Sequence, residues 1–224
     1  KDNTLKVLEH MASINPSIHV FKSDCNDRKP EAENIDTLYM IARSECEYVM
    51  VMDVDEFITR QNDMYQHSLA RYVTEYNPVY MQMMWHIMST EGYEKRPDTL
   101  VIEAYRHGKY TPEHCKTFAS TEYVTRWRFS LWPTSFRKLS QKTIDSIMHI
   151  GDLPDRTVTL KGKVTKAPSI PFYLKHYYLK SWEDFMDGRG TRNPVRDGWF
   201  HNRTRWLSYN WNDEPLSAHF TESM

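Results

Sequence analysis

The stretch that most constrains this chain is Tyr48-Val49-Met50-Val51-Met52, which runs directly into Asp53-Val54-Asp55-Glu56. Five apolar residues in a row do not alternate, so they suit a strand buried on both faces. The acids that end the run cannot share that burial. Upstream, Ile35, Leu38, Tyr39 and Ala42 recur at helical spacing, and Ile18 to Phe21 is a short β-prone run. Earlier still, Asp2-Asn3-Thr4 can cap a helix bearing Leu5, Leu8 and Met11, stopped by Asn15-Pro16. Helix, strand, helix, strand in this order predicts an α/β fold around a mostly parallel central sheet flanked by helices. Ligands of such sheets bind beyond the carboxyl ends of the strands, where the acidic cluster lies.

Farther along, 23–34 reads as a polar loop, 68–76 as a helix and 78–85 as a strand. Residues 99–105, 143–150 and 170–178 read as further strands, while 106–135 carries no clear pattern. Ser181 can cap a helix with Glu183 and Asp184 in its first turn and Gly188 and Gly190 at its end. The aromatic tail from Trp199 is expected to lie over the fold. No repeat, low-complexity run or linker divides the sequence, so residues 1–224 are expected to form one domain.

The formal net charge is -1, which leaves no global field to recruit nucleic acid or an anionic membrane. Cys25, Cys46 and Cys115 are odd in number and widely spaced, with no CxxC. That argues against a disulfide framework or a cysteine zinc site and favours the cytoplasm over the Golgi lumen. No apolar run approaches the roughly 20 residues of a membrane span. The chain starts at Lys1 within a helical pattern and reads as a piece of a longer protein.

Asp53 and Asp55 are the candidate metal ligands. Carboxylates this close repel each other unless a cation joins them, and hard oxygen donors suit Mg²⁺ or Mn²⁺. Such an ion can also hold a diphosphate and stabilise it as a leaving group. The plain alternative is a loop of solvated acids after a strand.

Three segments carry a resemblance. Val49 to Ile58, VMVMDVDEFI, resembles the strand-and-DxD segment of GT-A-fold glycosyltransferases, more narrowly the DUF23-type group, family 92 and its family 2-like relatives. His176 to Phe185, HYYLKSWEDF, resembles the His-Tyr-x-x-Lys-Ser-x-Glu-Glu-Phe signature of that group. Asp2-Asn3-Thr4-Leu5 is similar to the end of its Asp-Asn-x-Ser-x-Asp-Asn-Thr stretch. The resemblance implies a GT-A-like, Rossmann-like sheet whose first strand would precede Lys1. It divides the domain into a nucleotide-sugar half, about 1–60, and an acceptor half, about 61–224. The group's Phe-Gly-Ser-x-Gly-like segment is replaced here by Trp85 to Gly92.

The implied activity is transfer of a sugar from a nucleotide-sugar, UDP-glucose or UDP-galactose, to a hydroxyl of a glycan or glycoprotein, with inversion and with Mn²⁺ or Mg²⁺. Asp55 would touch the ion, Asp53 would bind the ion through water or hold the ribose, and His176 would be a further ligand. Lys180 and Arg189, with Arg192, would contact the diphosphate. Glu56 would orient the two aspartates or reach the donor sugar. Glu91, Glu94, Glu183, Asp184 and His149 are the candidates for the general base. Trp85, Trp127, Trp132, Trp199 and Trp206 are candidate sugar platforms.

Two other readings use the same residues. A metal-dependent phosphohydrolase also needs paired carboxylates, although it usually adds acids for a second ion, and no second dense cluster exists. A non-catalytic carbohydrate- or RNA-binding module would use Arg126 to Phe129 and His201 to Trp206, which mix basic and aromatic residues.

Overall fold

A computed structural model describes residues 3–22, 30–60, 68–127, 133–136, 148–151, 157–160, 163–166, 169–188 and 203–210. The described strands are β1 (Tyr48–Met50), β2 (Glu56–Arg60), β3 (Tyr80–Met88), β4 (Gly108–Ser120), β5 (Val124–Trp127), β6 (Pro133–Phe136), β7 (Met148–Gly151), β8 (Thr157–Leu160), β9 (Lys163–Lys166), β10 (Ser169–Ile170) and β11 (Phe172–His176). The helices are α1 (Thr4–Ile14), α2 (Pro30–Glu45), α3 (Leu69–Tyr76), α4 (Val101–Ala104), α5 (Trp182–Gly188) and α6 (Arg203–Leu207).

The protein is α/β, with a mixed rather than a mostly parallel main sheet. Its path runs β1-β4-β3-β11-β2, with β7 also on β3 and β10 on β7. β11 and β7 lie parallel to β3, and β10 lies parallel to β7. β4 is antiparallel to both β1 and β3, and β2 is antiparallel to β11. The chain leaves β3 and comes back beside it as β4 rather than crossing over to a parallel neighbour.

β3 is apolar almost throughout, as a strand paired on both edges should be. Met81 and Met83 face a cluster with Tyr72, Phe172 and Leu174, under α3. α3 starts at Ser68, whose hydroxyl accepts from the Arg71 amide at 3.3 Å. The opposite layer joins Tyr39 of α2 to Ala119, Val124 and Trp127. The Tyr39 hydroxyl donates to the Val124 carbonyl at 2.7 Å, which fixes α2 against β5.

The apolar run at 48–52 is only half-buried and is a strand over Tyr48–Met50 alone. Its two-sided character is nonetheless present: Val49 and Val51 pack beneath α2, and Met50 packs with the cluster under α3. Further expectations differ from the structure, among them the polar loop over 23–34, which is already helical from Pro30. Ile18 to Phe21 forms no strand. Residues 101–104 are helical because Val101, Ala104 and Tyr105, at helical spacing, pack against Met88 and Tyr177. α1 forms as expected, but Leu5, Leu8 and Met11 stay about two-fifths exposed.

Candidate functional site

β1 and β2 are nearly adjacent in sequence yet lie at opposite ends of the sheet path. The chain between them therefore has to span the strands in between, and it turns tightly at the acids. The Glu56 amide donates to the Asp53 carbonyl at 3.1 Å, closing a β-turn over Asp53-Val54-Asp55-Glu56. Val54 at its tip is 97% exposed. The turn sends the two aspartates to different partners.

Asp55 faces His176. The β2–β11 register pairs Glu56 with His176, and the Tyr177 amide extends the ladder by donating to the Asp55 carbonyl at 3.0 Å. This brings Asp55 Oδ1 to 3.6 Å from His176 Nε2. That is beyond a hydrogen bond. Two donors each about 2.1 Å from a shared ion stand about 3.0–3.5 Å apart, so a small shift would suit both to one cation. Burial opposes ionisation of Asp55, but the facing imidazole of His176 and the charge of Lys180 outweigh it, holding its pKa below the ordinary carboxylate value. His176 is buried, and its Nδ1 has no hydrogen-bond partner among the described residues. The ring stands edge-on to Trp85, with centroids 4.3 Å apart.

Asp53 turns instead to Lys116, a residue the sequence does not advertise. Lys116 Nζ donates to Asp53 Oδ2 at 2.9 Å and lies 3.4 Å from Glu56 Oε2. The Asp53 amide donates to the same Glu56 oxygen at 2.9 Å. The Lys116 and Glu56 side chains are wholly excluded from solvent, whereas that of Asp53 is 53% exposed. Burial pushes the Glu56 carboxyl up, although the Asp53 amide and the Lys116 charge pull against it. Among the described residues, no three of His, Cys, Asp and Glu already converge as a ligand set. The reason is local: the third candidate, Asp53, is held by the lysine. Asp55 and His176 could hold a small divalent cation as a facing pair, and Asp53, whose Oδ2 is on Lys116, would join them by sharing its carboxylate with the lysine or leaving it.

Lys180 lies close enough for its charge to act on Asp55 and has a left-handed backbone, with φ 58°. Its carbonyl accepts from the Trp206 indole at 3.0 Å, which anchors that conformation from α6. Arg189 and Arg192 lie outside the described residues.

The base candidates lie in a different layer of contacts. Glu91 sits in a left-handed conformation, with φ 51°, beyond β3. Its Oε1 accepts from the amides of Arg106 and His107 at 3.1 and 2.8 Å, and its Oε2 lies 2.9 Å from His107 Nδ1. The carboxylate is thus already engaged, but it orients an imidazole that remains about one-third exposed. Glu183 and Asp184 are tied to Arg96. Glu183 accepts from its amide at 2.9 Å, and Asp184 accepts from its guanidinium at 2.6 Å. Both therefore clamp the 93–96 loop onto the start of α5, where Glu183 and Asp184 also suit the helix dipole.

Ser181 completes that clamp. Its hydroxyl accepts from the Asp184 amide at 3.1 Å, the cap that the sequence predicts, and donates to the Asp184 carboxylate at 2.8 Å. Ser181→Ala should cost about 1 kcal/mol of stability, measured by urea unfolding. A change under about 0.3 kcal/mol would mean that the Arg96 contacts alone hold the helix start.

Glu94 is exposed and pairs with Arg203. Trp127 and Trp206 are fully packed in the core and present no face to a sugar. Trp85 is half-buried, with His114 stacked on it at 5.2 Å. Trp132 and Trp199 lie outside the described residues. For His149 the structure describes only the backbone, in β7 opposite Met81.

No protein-family model matches the chain, and a comparison with curated proteins finds no match either. No described helix is long and apolar enough to cross a membrane. The structure thus defines an α/β protein with an acidic turn laid across a mixed sheet.

Proposed function

We propose that the chain is a metal-dependent glycosyltransferase that moves a sugar from a nucleotide-sugar, UDP-linked, to a carbohydrate or glycoprotein hydroxyl. The observation that carries the reading is the facing of Asp55 and His176. These residues come from the two segments whose sequences most resemble one family, and they face each other at 3.6 Å, a separation that supports a shared ion. Mn²⁺ or Mg²⁺, held by Asp55 and His176, would supply charge neutralisation for a diphosphate. Lys180, on the Asp55 side, adds a cation for the same phosphates.

The proton of the acceptor hydroxyl needs a base, and the Glu91–His107 pair offers one. Glu91 lies 2.9 Å from Nδ1 of His107, and in the tautomer that donates this N–H to the carboxylate, Nε2 would carry the lone pair that takes the proton. The acceptor oxygen then bonds to the anomeric carbon as the bond from that carbon to the diphosphate breaks. The electron pair leaves on the diphosphate, and the configuration inverts.

The test is a thermal-shift screen of UDP-glucose and UDP-galactose with and without Mn²⁺. The nucleotide-sugar is expected to stabilise only when metal is present, by about 2.7 kcal/mol at a hundredfold excess over Kd and beyond any shift from Mn²⁺ alone. His107→Gln should leave that shift intact while slowing turnover with an acceptor. The absence of a shift for any pair would overturn the reading. Phosphate release from simple esters would favour a phosphohydrolase instead.

A further inference from the structure

A lysine ammonium wholly excluded from water is costly to bury unless its charge is met by fixed partners. Lys116 meets that condition with two carboxylates, Asp53 at 2.9 Å and Glu56 at 3.4 Å, and its ammonium lies 5.9 Å from the centroid of the Trp85 ring. It cannot be a phosphate contact, because its side chain has no exposed surface. Its position is built in. Lys116 lies opposite Met83 in the middle of β4, just beyond an irregularity at which the β3–β4 register shifts between Met84 and Trp85. Around this pair the site holds buried polar atoms that meet no hydrogen-bond partner among the described residues: Glu56 Oε1, His176 Nδ1 and Trp85 Nε1.

We infer that Lys116 is the resident counter-ion of the acidic turn, a positioning residue that holds Asp53 away from the Asp55–His176 pair until a divalent cation competes for it. The inference rests on the metal role proposed for that pair. Without the ion, the ammonium neutralises Asp53 and keeps the turn folded across the sheet. With the ion, Asp53 is shared or surrendered, so the strength of the lysine contact sets how tightly metal is held. Lys116 thereby makes metal occupancy responsive to concentration rather than permanent.

The experiment is Mn²⁺ titration of the full chain, read by electron paramagnetic resonance of the free ion, for the wild type, Lys116→Met, Asp53→Asn and the double variant. Lys116→Met removes the competing charge and should bind Mn²⁺ about tenfold tighter, while its metal-free form melts at a lower temperature. In the Asp53→Asn background the same substitution should change Mn²⁺ affinity less than about twofold, because the contested carboxylate is gone. If Lys116→Met does not fold, the wild type still reports. The slowly exchanging Lys116 ammonium signal in nitrogen-15 NMR should move on titration with Mg²⁺ and stay unmoved in Asp53→Asn.

Wild type that binds Mn²⁺ with an unchanged affinity in folded Lys116→Met, or an ammonium signal indifferent to Mg²⁺, overturns the inference and leaves the transferase reading standing. Wild type that binds no Mn²⁺ while Lys116→Met does would support the inference and sink the transferase reading. Binding by neither protein overturns both.

Discussion

Asp55→Asn should eliminate the Mn²⁺-dependent rise in melting temperature while leaving the metal-free protein folded. The substitution keeps the shape of the side chain and removes the charge that faces His176 at 3.6 Å. Loss of groups that merely orient metal ligands costs about 10–100-fold in affinity, so loss of a direct anionic ligand should cost on the order of hundredfold or more. The cost to the metal-free fold should be about 1 kcal/mol or less, since the Asp55 side chain keeps 21% exposure and its ion pair is partly screened. The pH dependence adds a signed check. The pKa of Asp55 is held below the ordinary carboxylate value of 3.8, so its contribution is fully present above that value and is lost as pH falls through the lower, folded one. The stability gap between wild type and variant should therefore close in acid. A variant that keeps its full Mn²⁺ response would make Asp55 a structural acid and move the metal elsewhere.

Leu174→Ala should be the most damaging single truncation near the site, at about 3 kcal/mol. Leu174 is completely buried, packed among Tyr72, Met81, Met83 and Phe172, and lies in β11 between β2 and β3. For a chain of this size the loss corresponds to a drop of roughly 6–12 °C in Tm. The same strand presents His176, so Mn²⁺ affinity should fall with stability even though Leu174 touches no candidate ligand. Denaturant unfolding and Mn²⁺ titration of one preparation would measure both. A destabilisation under about 1 kcal/mol would show that α3 collapses into the gap, and unchanged metal affinity would uncouple the core from the site.

What was readable in the sequence follows from how local each signal was. The acidic turn announced itself because acids follow apolar residues without a break. α5 was readable because Ser181 and Asp184 form a cap within a single turn. β3 and β11 were readable from their apolar runs. β4 was not, although it is the longest described strand, because buried positions on both of its faces carry polar residues, Lys116 on one and Thr117 on the other, and these break the pattern that marks a strand. Lys116 was invisible for the same reason: it only becomes remarkable once the strand that buries it is known. α4 was misread because Val101 and Ile102 favour strands as residues, while the contacts of Val101, Ala104 and Tyr105 with Met88 and Tyr177 decide the outcome. His107 gave no signal at all, since its partner Glu91 lies across a loop and meets it only because β4 returns beside β3.

The pairing of β2 with β11 has a consequence for the order in which the molecule assembles. It joins residues 56–60 to residues 172–176, and β11 must dock on β3 at the same time. Contacts so distant along the chain carry a large loop-closure cost and tend to form late. The acidic turn can close locally as soon as Glu56 reaches Asp53. The imidazole that completes the pair arrives only when the strand bearing it closes the sheet. A nascent or partly unfolded chain thus carries the carboxylates without the histidine, and the proposed capacity to hold an ion would report that folding has finished.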